Sequence, residues 1–429
     1  MLPKIDEPME CIADLHLHSR YAMACSEQLT PEGIDQAARE KGIQVVATGD
    51  FTHPKWFSEL RSKLRETSEG SGVYALNGSS TGTRFVLESE VCTIFEDNTG
   101  RTRKIHHVIL APSMEIAEHA NLALSRYGNL GSDGRPVLNG LTPAGLVEEL
   151  MGISRDIFIF PAHLWTPWFG ALGEFSGFDS IEEAYADQAG NIHAYETGLS
   201  SDPPMNWTVS KLDRYAILSC SDAHSLPKMG REAVVLDLDH KSMTFNDLTT
   251  KIRDKELRMT VEFYPEEGKY HYDGHRNCNV SMSPEESKKY NDRCPRCGKK
   301  VTVGVMHRVA ELADRQAGER PSNAVPYVHA IPLQEVVAYV TRKSTVSQYV
   351  KATYLKLIER FGSEFNVLLS AGTEQIAEVD KELARAIRIV REDRAHIVPG
   401  YDGNFGIIDI FNQVKEEKES GTQKRISEF

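Results

Sequence analysis

In the stretch "ADLHLHSRYA", Asp14, His16 and His18 alternate with Leu15 and Leu17. Residues two apart share a face of an extended strand, so a carboxylate and two imidazoles point the same way. Further along, "TGDFTHP" carries Asp50 and His53, "LESEV" carries Glu88 and Glu90, and "KIHHVIL" carries His106 and His107. "PAHLW" adds His163, "YETG" adds Glu196, and "CSDAHS" adds Asp222 and His224. Any one of these suits a hydrogen-bonded core residue. Together they are too many ionisable groups to bury without compensation. Divalent cations supply it, and a mixed histidine–carboxylate set suits Zn²⁺, Mn²⁺ or Fe²⁺ in more than one copy.

A second constellation is His275-x₂-Cys278, then fifteen residues, then Cys294-x₂-Cys297. Two short pairs of borderline or soft ligands describe a structural zinc knuckle, with His271 and His307 as alternatives to His275. Between residues 271 and 310 Lys and Arg outnumber Asp and Glu eight to four, in a chain whose net charge is −13. That local reversal suits a module contacting a phosphate backbone. Cys11, Cys25, Cys92 and Cys220 stand singly among apolar residues and read as reduced core thiols.

The elements that must position these groups alternate. "CIADLHLH" and "IQVVATGD" read as strands around a helix, "TPEGIDQAAREKG", with Thr30 as N-cap and Gly42 at its end. After a glycine- and serine-rich surface segment, Thr67 to Thr83, come "RFVLESEVCTIF" and "KIHHVILAP". Helices follow from Ser113 and from "LTPAGLVEELM", then strands "DIFIFPAH", "IHAYETG", "YAILSCSDAH" and "EAVVLDL". This alternation predicts a mostly parallel α/β sheet or barrel. His163, Glu196, Asp222 and His224 fall at or just past strand ends, which in a β/α barrel form the catalytic face. From Phe263 a turn-rich stretch leads into the knuckle, and helical patterns then run to a glycine-turned hairpin, "HIVPGYDGNFGIIDIF". The expected domains are 1–240, a barrel; 241–310, the basic knuckle; and 311–429, mostly helical, ending in a frayed "KEEKESGTQKRISEF".

With 429 residues and an apolar fraction of 40%, the chain can build a core. No run approaches the roughly 20 apolar residues of a membrane span, and the first residues lack a signal-peptide pattern. The expected address is the cytosol.

In order, D-x-H-x-H, an Asp after the second strand, S-E-V, H-x-I-L, A-H and S-D-A-H resemble the PHP (polymerase and histidinol phosphatase) superfamily, metal-dependent phosphoesterases on a distorted β/α barrel. The resemblance implies His16, His18, Asp50, Glu90, His107, His163, Asp222 and His224 as ligands to two or three divalent ions (Zn²⁺, Mn²⁺ or Mg²⁺). It implies Asp14 as the carboxylate orienting a histidine. Glu90 is preferred to Glu88, and His107 to His106, because an apolar residue follows the family ligand. Phe51 stands where many members have His, with His53 as a substitute.

The barrel followed by "CPRCGKKVTVGVMHRVAELADR" and "VPGYDGNFG" resembles the endonuclease Q family over nearly the whole chain, and "TGDFTHP" and "ETGLSSDPPMNW" are similar to that family too. The resemblance implies a DNA repair endonuclease cutting 5′ of a deaminated base (uracil, hypoxanthine, xanthine) or an abasic site. DNA, and repair-pathway proteins, would be its partners, and no membrane. Metal-activated water would be the nucleophile, positioned by Asp222. A flipped base would be read by the loop Gly198 to Pro204, including Gly198, Ser200 and Ser201, with Trp165 and Trp168 as stacking or wedging rings. The alternatives are a small-molecule phosphatase of the histidinol-phosphate type and a non-catalytic DNA-binding accessory.

Overall fold

A computed structural model describes residues 10–412; the expected frayed tail lies outside them. The helix Pro31–Lys41 forms with the caps its sequence announces. The Thr30 hydroxyl accepts the Gly33 N–H, and Gly42 closes the helix in the left-handed region at φ +84°. The Ile34 and Ala38 side chains bury against the sheet.

That sheet has 11 strands and is mixed. Glu10–Asp14 lies between Val45–Ala47, parallel to it, and Ala233–Asp237, antiparallel. Val45–Ala47 is parallel to Arg84–Glu96, which forms a long antiparallel ladder with Thr102–Ala111. Thr102–Ala111 in turn runs antiparallel to Phe158–Pro161. Ala194–Glu196 and Ala216–Leu218 form a separate parallel pair. Loop hydrogen bonds close the ring: Leu164 N–H donates to the Glu196 carbonyl at 2.9 Å and Asp222 N–H to the His16 carbonyl at 3.0 Å. The architecture is a distorted β/α barrel.

Two expectations need correction. The sheet is not mostly parallel, because the turn Asp97–Arg101 is too short for the crossover that parallel strands require. The glycine- and serine-rich segment is not all surface. Its strand Tyr74–Leu76 pairs with Leu64–Glu66, and Gly72 packs so closely that a Cβ would stand 2.4 Å from the Pro112 carbonyl oxygen.

Two apolar clusters flank the sheet: Cys11, Ala13 and Leu15 enter one, Ile12 and Leu17 the other. A small cluster of Val280, Met282, Cys294 and Val301 holds the knuckle. A third large cluster lies among the helices Leu333–Thr341, Gln348–Phe361 and Lys381–Arg391. The expected boundaries at 240 and 310 are crossed by the sheet, because Leu257–Glu262 and then Tyr327–His329 add to its edge. No helix among the described residues is long and apolar enough to cross a membrane.

Candidate active site

His16 and His18 follow the first strand, and each imidazole is held from behind. His16 donates Nδ1–H to Glu196 at 3.0 Å, and His18 donates Nδ1–H to Asp50 at 2.9 Å. Both Nε2 atoms therefore face inward. His18 Nε2 lies 3.2 Å from Glu90 Oε2 and 3.1 Å from Asp222 Oδ1. The second Glu90 oxygen lies 2.7 Å from His106 Nδ1 and 3.0 Å from His163 Nε2. Glu90 is thus shared by two ligand groups, His16–His18–Glu90–Asp222 and Glu90–His106–His163, in each of which the donor atoms lie within 4.8 Å of one another.

Divalent cations fit this donor set. His16 Nε2, His18 Nε2, Asp222 Oδ1 and both Glu88 oxygens are buried and make no hydrogen bond, whereas buried polar atoms normally have partners. Carboxylates holding the far nitrogens of His16 and His18 are the usual support for metal-binding histidines. Asp50, His163 and Asp222 sit just past strand ends at φ +45°, +29° and +44°, a backbone strain typical of functional positions.

The electrostatics follow from this crowding. Burial alone would lower the pKa of His16, but Glu196 and Glu90 outweigh it and raise it well above the ordinary imidazole value. For Glu90 and Asp222 burial works upward, and the neighbouring histidines overcome it and hold both ionised. For Glu88 burial outweighs the pull of His16 and His18 and pushes it well above the carboxylate range.

Several expected residues take other positions. Of the two adjacent histidines, His106 lies in a clustered donor group and His107 does not. Neighbours on a strand point oppositely, and the His107 ring is turned to the Thr93 hydroxyl at 2.9 Å and the Tyr185 hydroxyl at 2.7 Å. Burial lowers its pKa to about 3. Glu88 and Glu90, two apart, share a face, and Glu90 is the one in contact with histidines. Asp50 stands behind His18, its second oxygen taken by the amide and hydroxyl of Ser19 at 2.6 Å, so it supports a ligand. His53 caps the helix Pro54–Lys63 and does not replace it. Asp14 touches no histidine through a hydrogen bond. It accepts the Ser221 and Gly230 amides at 3.0 and 2.9 Å and so fixes the turn that presents Asp222. His224 stands at the rim, its ring edge-on to His18 at 4.6 Å.

A cleft of about 410 Å³ opens over these groups. Gly198, Leu199 and Ser200 form one wall, and Lys269, Tyr270 and His271, just before the knuckle, form another. Gly198 has φ +59°, and a Cβ there would meet His163 Cβ at 2.5 Å. The Ser200 hydroxyl is buried without a partner. Ser201 does not face the cleft; it is fully buried and donates to the Thr197 carbonyl at 2.9 Å. Trp165 is also withdrawn into the core, its indole N–H donating to Asn206 Oδ1 at 2.8 Å. Trp168 remains 40% exposed, between Phe175 and Tyr270.

In the knuckle, His275, Cys278, Cys294 and Cys297 bring four donor atoms within 4.8 Å. His307 is occupied by Asp273 at 2.6 Å, and His271 faces the cleft.

Sequence reasoning missed two groups. Glu196 appeared only as one more ligand-capable residue, not as the support of His16. Arg135, in the loop "GSDGRP", places Nη1 3.2 Å from Glu90 Oε2 and lines the cleft. A lone arginine in a glycine-rich turn carries no periodic signal.

Solved structures share this whole arrangement of chain. The lesion-specific endonuclease PfuEndoQ of Pyrococcus furiosus superposes with a TM-score of 0.83 at 31% identity, over 97% of this chain and 100% of its own. The chain belongs to the endonuclease Q family. A second endonuclease Q structure, a complex with a 27-mer duplex carrying an abasic lesion at the active site, gives a TM-score of 0.82 at 32% identity over 95% and 98% of the two chains. Residues 332–394 of the chain match the family described as MJ0043 C-terminal domain. The MJ0043 protein of Methanocaldococcus jannaschii, described as uncharacterized, is 30% identical over 257 residues, and the chain spans only 32% of its length. YqxK of Bacillus subtilis, also described as uncharacterized, is 28% identical over 416 residues, 98% of its length. Membership in the endonuclease Q family makes this chain an endonuclease, and its clustered ligand groups fit a metal-dependent one.

Proposed function

We propose that this member of the endonuclease Q family is a DNA repair enzyme that hydrolyses the phosphodiester 5′ of a deaminated base or abasic site. The observation that carries the reading is the shared cleft. The two ligand groups joined by Glu90 open beside a recess walled by the Gly198–Ser200 backbone, with exposed Trp168 nearby. The similar structure with a lesion-bearing duplex supports DNA as the substrate.

Held by His16, His18, Glu90 and Asp222, and by Glu90, His106 and His163, divalent cations would supply an activated water and neutralise phosphate charge. The protein's own residues do the rest. Glu196 and Asp50 fix the two histidines, and Asp14 fixes the Asp222 turn. Asp222, kept ionised, orients the nucleophile. Arg135 presents a charged guanidinium to a non-bridging phosphate oxygen, a role suited to its fixed charge and fork of donors.

A base must leave the stack to be inspected, and weakly paired deaminated bases cost less to extrude. Deamination puts a carbonyl where an amine stood. Backbone N–H groups and the Ser200 hydroxyl can donate to that carbonyl, whereas an exocyclic amine offers them hydrogens instead. Trp168 and Tyr270 offer rings on which flanking bases stack.

The test is a nicking assay on duplexes bearing one uracil, hypoxanthine, xanthine or abasic site, with divalent metal and the cut mapped to the nucleotide. Asp222→Ala should abolish nicking while leaving DNA binding measurable. Near-normal turnover in that variant would remove Asp222 from the mechanism. Release of phosphate from a chromogenic monoester, without nicking, would instead favour the small-molecule phosphatase.

A further inference from the structure

The loop that walls the cleft is gripped from two sides, and only one grip comes from the first 240 residues. On that side Asn206 donates to the Ser201 hydroxyl at 3.1 Å and to the Asp202 carbonyl at 2.8 Å. On the other side is His329, at the end of the edge strand Tyr327–His329. Its Nε2 lies 3.2 Å from Asp202 Oδ2, and its Nδ1 lies 3.3 Å from Asp393 Oδ1. Tyr264 stacks on the imidazole at 4.6 Å and donates its own hydroxyl to Asp393 at 3.0 Å. Asp393 falls within the segment matched as MJ0043 C-terminal domain.

An imidazole donating to carboxylates from both nitrogens is an imidazolium, and such charge-assisted bonds are stronger and more directional than neutral ones. The other Asp202 oxygen is committed as well, accepting the Met205 N–H at 3.0 Å to cap the helix Pro203–Trp207. Asp202 is therefore pinned between that helix and the strand, and Ser200 sits two residues upstream of it.

We propose that His329, backed by Asp393, is a positioning residue for base recognition: through Asp202 it sets the Gly198–Ser200 wall, so the C-terminal region takes part in choosing the lesion. This rests on the reading of that wall as the base-inspecting surface. His329 touches none of the ligand groups and has no direct part in hydrolysis.

An abasic site has no base to inspect, which makes the test sharp. kcat/KM is measured for the full chain on two duplexes differing only in uracil or abasic lesion. His329→Ala should lower the uracil-to-abasic ratio by about tenfold, the size of one lost charge-assisted bond. Asp393→Asn, a change at a half-exposed side chain that leaves shape intact, should lower it by roughly threefold, the same loss halved. A merely structural loss would depress both substrates together, and that outcome in both variants overturns the proposal. Ser200→Val serves as the control. A ratio changed by Ser200→Val but not by His329→Ala or Asp393→Asn sinks the role of His329 alone. A ratio untouched by Ser200→Val, His329→Ala and Asp393→Asn alike removes the base-reading wall, and this inference falls with it.

Discussion

At the scale of single residues, His106 and His107 separate chemistry from packing one position apart. His106 lies against Glu90 and His163, and burial lowers its pKa to about 4 against the opposing pull of Glu90. His107 donates to and accepts from core hydroxyls instead. Exchanging each for alanine should therefore give opposite results. His106→Ala is expected to cut nicking by roughly 100-fold or more while the unfolding temperature stays close to the wild type, as for loss of a ligand or its support. His107→Ala is expected to retain activity and lose about 1–3 kcal/mol of stability, the cost of orphaning buried partners. The reverse pattern in paired nicking and denaturation assays would return His107 to the site. The sequence shows that one of the pair turns inward. Which one depends on the ladder register that sets Val91 opposite His107, and no local signal carries register. Asp14, which the resemblance assigns to orienting a histidine, accepts its hydrogen bonds from amides more than two hundred residues away, and no local signal announces that pairing either.

At the scale of elements, local chemistry was legible and long-range pairing was not. The Thr30 and Thr142 caps and the proline after each form as the sequence suggests. The antiparallel reversals and the return of Tyr327–His329 to the sheet edge come from contacts between distant segments. That edge strand has a measurable electrostatic signature. Burial works to lower the pKa of His329, but Asp202 and Asp393 outweigh it and raise it to about 10. Glu262 and Glu266, the remaining acids near the ring, are themselves pushed upward by burial. An unfolded histidine titrates near 6.5, so between about pH 6.5 and about pH 10 the folded chain holds a proton that the unfolded chain has lost. Linkage then makes this contribution complete below the window and progressively lost as pH rises through it. Urea midpoints measured at several pH values across the window should fall more steeply for the wild type than for His329→Ala. Parallel slopes would mean that the imidazole is not charged in the fold.

At the scale of the whole molecule, the question is how a chain of net charge −13 holds a polyanion. Acidic residues gathered around cation sites repel phosphate only until they are neutralised, and repulsion from the remaining surface is screened beyond roughly 10 Å at 0.1 M salt. Attraction must then be local, and the knuckle offers it. Arg296, Lys299 and Lys300 are exposed beside the four clustered donors, and Lys269 stands between the cleft and the Phe405 ring, 4.4 Å from its centre. A bound metal would hold this basic turn rigid, so that the charges meet the backbone already arranged. Each lysine that neutralises a phosphate releases counterions and adds about 0.9 to the slope of log affinity against log salt. Replacing Lys299 and Lys300 with glutamine should therefore flatten that slope by about 2 and weaken lesion-bearing and intact duplexes alike. The uracil-to-abasic preference should stay where it was, because these residues lie outside the cleft. A slope unchanged from the wild type would mean that the duplex runs across some other face, and the knuckle would then serve only to hold the fold together.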